Sequence, residues 1–195
     1  MKILHPQFPI TIALCFLGCL TARAQDEEEA ARKIAEAAIR VGALDYLTDR
    51  EFKLEGPQIV ATAQAIDPKE HLKVEIREFE LLPDRVTMKF RLLARFRFEG
   101  KITVDDTVTE GRGQADIGQL ISLEAKYWFD NDGLHVDARA TDMKFSVKVR
   151  ELVPEDLVGG AAAVGKIAAQ QLRRQKDELL RQFNEWQADY QRKMR

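Results

Sequence analysis

The chain has 195 residues, 45% of them hydrophobic and 32% charged, with a formal net charge of −2. That length accommodates one domain, or one domain with a helical appendage, and a mildly acidic balance argues against a nucleic-acid partner. Its cysteines, Cys15 and Cys19, both fall in the first 24 residues, so the remainder holds no disulfide, thiolate nucleophile or cysteine-bound metal.

Residues 1–24 read as a signal peptide. Lys2 gives a positive start, Ile10 to Leu20 is an apolar run too short for a membrane span, and Ala22-Arg23-Ala24 places small residues where a signal peptidase reads. The expectation is cleavage before Gln25 and an exported protein, periplasmic or secreted. Phe16-Leu17-Gly18-Cys19 approximates a bacterial lipobox, so a lipoprotein anchored at Cys19 is the alternative. Loss of Lys2 and Arg23 takes the net charge from −2 to −4.

Asp26 to Leu47 has helix-forming composition, with acids at its start where the helix dipole favours them. Ile34, Ala37, Ala38, Val41, Leu44 and Leu47 recur at helical spacing and predict its buried stripe. From Gln58 the period becomes two. Strands are expected over 59–66, 72–81, 86–104, 121–129, 134–140 and 143–149, with 105–118 a polar, Gly-rich connection holding at most one short strand. Beyond these, residues 151–195 form an amphipathic helix opening at Pro154 and broken near Gln175–Lys176. The organisation is therefore a leader (1–24), an N-terminal helix with a sheet (25–150), and a C-terminal helix packed on the same domain (151–195).

Charge fixes two hairpin registers. A turn at Leu82 to Arg85 pairs Leu81 with Val86, Phe79 with Met88 and Glu78 with Lys89; a one-residue bulge near Arg77 then sets Ile76 against Phe90 and Glu75 against Arg91. A turn at Asp130 to Gly133 pairs Phe129 with Leu134 and Tyr127 with Val136, and places Lys126 by Asp137 and Glu124 by Arg139. The alternative two-residue loop sets Lys126 against Arg139, which repels.

Motifs carrying chemistry are scarce. Gly160 to Lys166 spells G-x-x-x-x-G-K, but Ile167 stands where a phosphate-binding loop needs Ser or Thr; the small residues instead suit close approach of a helix to a sheet. Asp130-Asn131-Asp132-Gly133 lacks calcium-loop spacing. After the leader, His71, His135, Ser122 and Ser146 form no hydrolase or metalloprotease pattern. No cofactor is expected, and the protein reads as non-enzymatic.

The fold class is α+β: a twisted antiparallel β-meander of five to seven strands, its apolar face covered by an N-terminal and a long C-terminal helix. Across residues from about 56 to 193 this arrangement is similar in outline to periplasmic tubular lipid-binding domains, where a curved sheet wraps a helix. The resemblance is one of pattern, not of motif. Met88, Phe90, Leu92, Phe96, Phe98, Tyr127 and Phe129 are the candidate apolar ligand face, suited to a lipid or other apolar small molecule. Arg95, Arg97 and Lys101 are a candidate anionic contact. Leu172, Leu179, Phe183, Trp186 and Tyr190 form a stripe that defines the alternative function, docking on a protein partner or a second copy.

Overall fold

The computed structural model describes residues 26–104, 106–130, 133–182 and 184–185. The elements are α1 (Asp26–Leu47), β1 (Glu51–Glu55), β2 (Ile59–Ala65), a short α2 (Pro68–His71), β3 (Lys73–Leu81), β4 (Arg85–Val104), β5 (Thr107–Asp130), β6 (Gly133–Val153) and α3 (Ala161–Arg174). A 3-10 turn, Leu157–Gly159, precedes α3. The helix breaks at Gln175 and resumes over 176–182 and 184–185.

The architecture is mixed α+β, built on a curled antiparallel sheet with strand order β1-β2-β4-β5-β6 and β3 also paired to β4. It departs from a simple meander. β2 and β3 do not pair with each other but share one edge of β4: β3 faces its first half (Val86 to Leu93) and β2 its second (Phe96 to Ile102). Asp67, in the left-handed region at φ 39°, and Pro68 open the turn that separates them. Strands of 20 to 24 residues accumulate enough right-handed twist to coil the sheet.

Both expected registers are present. Leu81↔Val86, Phe79↔Met88, Glu78↔Lys89, Ile76↔Phe90 and Glu75↔Arg91 pair as charge dictates, with the shift between Ile76 and Glu78. Tyr127↔Val136, Lys126↔Asp137 and Glu124↔Arg139 follow the second hairpin, and Asp130↔Gly133 extends its ladder.

Four expectations are corrected. Residues 107–118 of the expected connection are the first half of β5, whose Gly111, Gly113 and Gly118 sit in the ladder where neighbours leave no room for a side chain: a Cβ on Gly113 would lie 2.0 Å from the Glu151 carbonyl oxygen. The strands expected at 134–140 and 143–149 are one, β6, which crosses Thr141 by a register shift. β1 (Glu-Phe-Lys-Leu-Glu) was too short to stand out and adds an edge beyond β2. Pro154 opens no helix; it follows a cis peptide bond, and α3 starts only after Gly160.

α1 has the expected bounds, and Ala38, Leu44 and Leu47 of its expected stripe turn inward, but Ile34, Ala37 and Val41 do not. Ala31, Ala35, Ala38 and Ile39 are buried, whereas Ile34 and Val41 are 39% and 51% exposed. Small side chains point inward and let the helix lie close. Ala31, Ala35 and Ile39 share a buried cluster with Ile76, Val86, Met88, Phe90, Ile121, Met143 and Phe145. A second cluster joins Val164 and Ala168 of α3 to Ile59, Ile102, Leu152 and Leu157. A third sets Phe96 and Ala94 with Leu72, against Leu44 and Leu47 of α1.

α3 meets both outer strands of the sheet. A Cβ on Gly165 would be 3.3 Å from the Val147 carbonyl oxygen of β6, so the small residue allows the close approach. On the opposite side, the Gln171 and Gln175 side-chain amides donate to the Glu55 carbonyl at the end of β1, at 2.7 and 3.0 Å.

Candidate functional site

Even-numbered positions of β4 face the core, and its odd-numbered positions face outward. Met88, Phe90 and Phe96 are buried; Leu92, Phe98 and Tyr127 are half-buried. The structure spreads these expected ligand-face residues over distinct clusters: Met88, Phe90, Leu92 and Tyr127 in the first, Phe98 in the second and Phe96 in the third. Phe129 is carried by β5 opposite Leu134. The Tyr127 hydroxyl donates to the Leu82 carbonyl at 2.6 Å, tying β5 to the β3–β4 turn. Burial, and then the Asp84 charge, push its pKa up.

The outer face carries the basic row. Lys89 pairs with Glu78 at 2.5 Å, and Lys101 with Glu110 at 3.3 Å. Arg95 and Arg150 converge on Asp116: Arg95 Nε donates to Oδ1 at 3.0 Å and Arg150 Nε to Oδ2 at 2.7 Å. The register shift between Gln114 and Ala115 aims Arg150 at this carboxylate. Burial alone would raise the Asp116 pKa, but the Arg150 and Arg95 hydrogen bonds outweigh it and hold the carboxyl below its usual range. Arg97 is exposed between Gln64 and Gln114. Of the candidate anionic contact, Arg95 and Lys101 thus have acidic partners on the sheet itself.

In the C-terminal stripe, Leu172 and Leu179 pack against the first core cluster, together with Leu180. Phe183, Trp186 and Tyr190, like the expected leader and its Cys19, lie outside the described residues. Sequence reasoning missed the residues that fasten this segment. Lys176 pairs with Asp142 at 2.5 Å, and the Asn184 amide both accepts from the Ala140 N–H at 2.8 Å and donates to the Ala140 carbonyl at 3.1 Å. Only the path of a helix along an outer strand reveals such a role.

Among the described residues, the surface holds clefts at two places of note. One of about 640 Å³ lies at the far end of the outer face, with Val60 and Val153 between Lys53, Glu55, Lys101 and Arg112. The other, about 810 Å³, separates Glu124, Lys126 and Arg139 of β5–β6 from Asp177 and Arg181. Cations and anions alternate along both, with no dominant sign. Among the described residues, no three metal-ligating side chains gather, and no helix is long and apolar enough to cross a membrane. No family model, no curated protein and no solved structure matches the chain.

Proposed function

We propose that the chain is an exported, non-enzymatic binding protein whose two long helices cover the apolar face of the sheet and hold an apolar or amphiphilic ligand, a lipid being the natural case, against Met88, Phe90 and their neighbours. The observation that supports this reading is a mismatch of side-chain size. The sheet contributes Met88, Phe90, Ile121, Met143 and Phe145 to the first cluster, whereas α1 contributes Ala31, Ala35 and a single large residue, Ile39. An alanine buries little area, and at roughly 25 cal/mol per Å² of apolar surface such a stripe holds a helix weakly. α1 is thus the displaceable side of the seam, and lifting it exposes the large side chains to a ligand.

Native mass spectrometry of the mature protein, purified without detergent, tests the reading. A discrete added mass matching a lipid, and saturable binding of a fluorescent fatty acid to the ligand-stripped protein, are expected. A bare polypeptide mass together with non-saturable probe uptake would overturn it. The same spectrum reports cleavage before Gln25, any lipid on Cys19, and the oligomeric state on which the docking alternative depends.

A further inference from the structure

The ion pairs of the outer face leave several cations of one region without a carboxylate within 4.0 Å. Cross-strand pairing sets Lys73, Leu93, Gly118 and Ser146 in one row of the sheet, and Glu75, Arg91, Leu120 and Lys144 in the next. Arg95, Asp116 and Lys148 form the third row. The acids here are already engaged: Asp116 by Arg95 and Arg150, Glu75 by Arg77 at 2.8 Å, and Asp142, which also feels the Lys144 charge, by Lys176. Among the described residues, Lys73, Arg91, Lys144 and Lys148 enter none of the ion pairs within 4.0 Å. Lys73, Lys144 and Lys148 are exposed. Elsewhere on the surface Lys33, Lys89, Lys101 and Arg181 each have a carboxylate partner. Other cations, Arg97 and Lys53 among them, also lack such a partner, but here four stand in three adjacent rows of the sheet, on a chain whose net charge is negative.

The middle of this region is a glycine buried under its neighbours' side chains. Gly118 lacks a side chain where a Cβ would stand 2.5 Å from Ser146 Oγ and 3.6 Å from both Arg91 Nη2 and Leu93 Cδ1. A hydroxyl and a guanidinium thus come together over Gly118, with lysines on either side, a donor set suited to phosphate oxygens. Leu93 and Leu120 lie half-buried among the cations. Phosphates lying above an apolar layer are the surface chemistry of a lipid bilayer; a free polyanion offers the charge without the apolar layer.

We propose that this outer-face cluster, centred on Gly118 and Ser146 and ringed by Lys73, Arg91, Lys144 and Lys148, docks the protein on an anionic lipid surface. This does not depend on a ligand held under α1. It moves the anionic contact along the sheet from Arg95 and Lys101, which are paired, to cations that are not.

Vesicle flotation tests it, using phosphatidylcholine alone and phosphatidylcholine mixed equally with phosphatidylglycerol. The full mature chain should float with the anionic vesicles, stay behind with the neutral ones, and release as salt rises. The double substitution Lys144→Glu and Lys148→Glu, at exposed positions, should weaken partitioning by at least about tenfold. Lys53→Glu with Lys166→Glu, an equal change in net charge away from the cluster, should not. Circular dichroism checks that each variant is folded; should the first pair fail to fold, Lys144→Gln with Lys148→Gln takes its place. Equal loss in both pairs, equal binding to neutral vesicles, or capture by heparin without vesicle binding would each overturn the proposal.

Discussion

α1 and α3 both lie on the sheet through small residues, yet they are held in different ways. α1 buries alanines and Ile39 and reaches the sheet's backbone through Arg32, whose Nη2 donates to the Ile76 carbonyl at 2.5 Å. α3 buries Val164, Gly165, Ala168 and Gln171 and is tied by polar side chains to the sheet at both of its sides. Gln171 and Gln175 hold the end of β1; Lys176 and Asn184, in the segment that follows, hold β6. Hydrogen bonds to defined backbone atoms fix position and register, whereas a stripe of methyl groups fixes only distance. One helix and the segment after it are fastened at several points; the other, beyond its Arg32 tie, rests on apolar contacts.

That contrast is most strongly broken at Ile39, the one large buried side chain of α1. Ile39→Ala should cost about 2–5 kcal/mol in urea denaturation, and hydrogen exchange should show α1 losing protection before α3. Val41→Ala, on the exposed side of the same helix, should stay within about 0.5 kcal/mol. A smaller effect is expected at the fastening. Gln171→Ala removes a buried donor from the Glu55 carbonyl, which Gln175 still serves, and should cost about 1–3 kcal/mol, with faster exchange confined to β1 and the end of α3.

Acid sharpens the comparison with the least disturbance. The hydrogen bond from Lys176 holds the Asp142 pKa below its usual value. A carboxyl with a depressed folded-state pKa adds stability above its unfolded pKa of about 4 and loses it as pH falls through the lower folded value. Asp116 follows the same sign, since its two arginines outweigh its burial. Below about pH 4 the residues after Gln175 should therefore lose protection, measured as exchange protection factors, while in α1 the loss should stay in the first turns, where Lys33 holds the Glu29 pKa down. Equal loosening of both helices would mean that the Asp142–Lys176 pair is not what holds the C-terminal segment.

The charge pattern made the hairpins legible: Glu78 with Lys89 and Lys126 with Asp137 each admit one register, and a slip by one residue sets like charges together or turns apolar residues outward. Glycine concealed β5. Gly111, Gly113 and Gly118 read locally as loop, and only the finished fold shows what excludes side chains there: Leu157, the Glu151 carbonyl and Ser146 in turn. The face of α1 was partly misread because Ile34 and Val41 outweigh alanine in any hydrophobic count, while a close seam selects for small size. Arg95 and Arg150 found their partner Asp116 inside that hidden strand, so the centre of the basic face could not be judged as paired or unpaired until β5 was in place.

Asn184 has one more consequence. β6 is the last strand of the sheet, and its outward N–H and C=O groups would template another chain were they left bare. By giving Ala140 both a donor and an acceptor, a single carboxamide imitates the neighbour that the strand lacks. The two residues are 44 positions apart. A polypeptide that stops short of Asn184 therefore leaves the Ala140 N–H and C=O without this cover, at one point of an exposed strand margin.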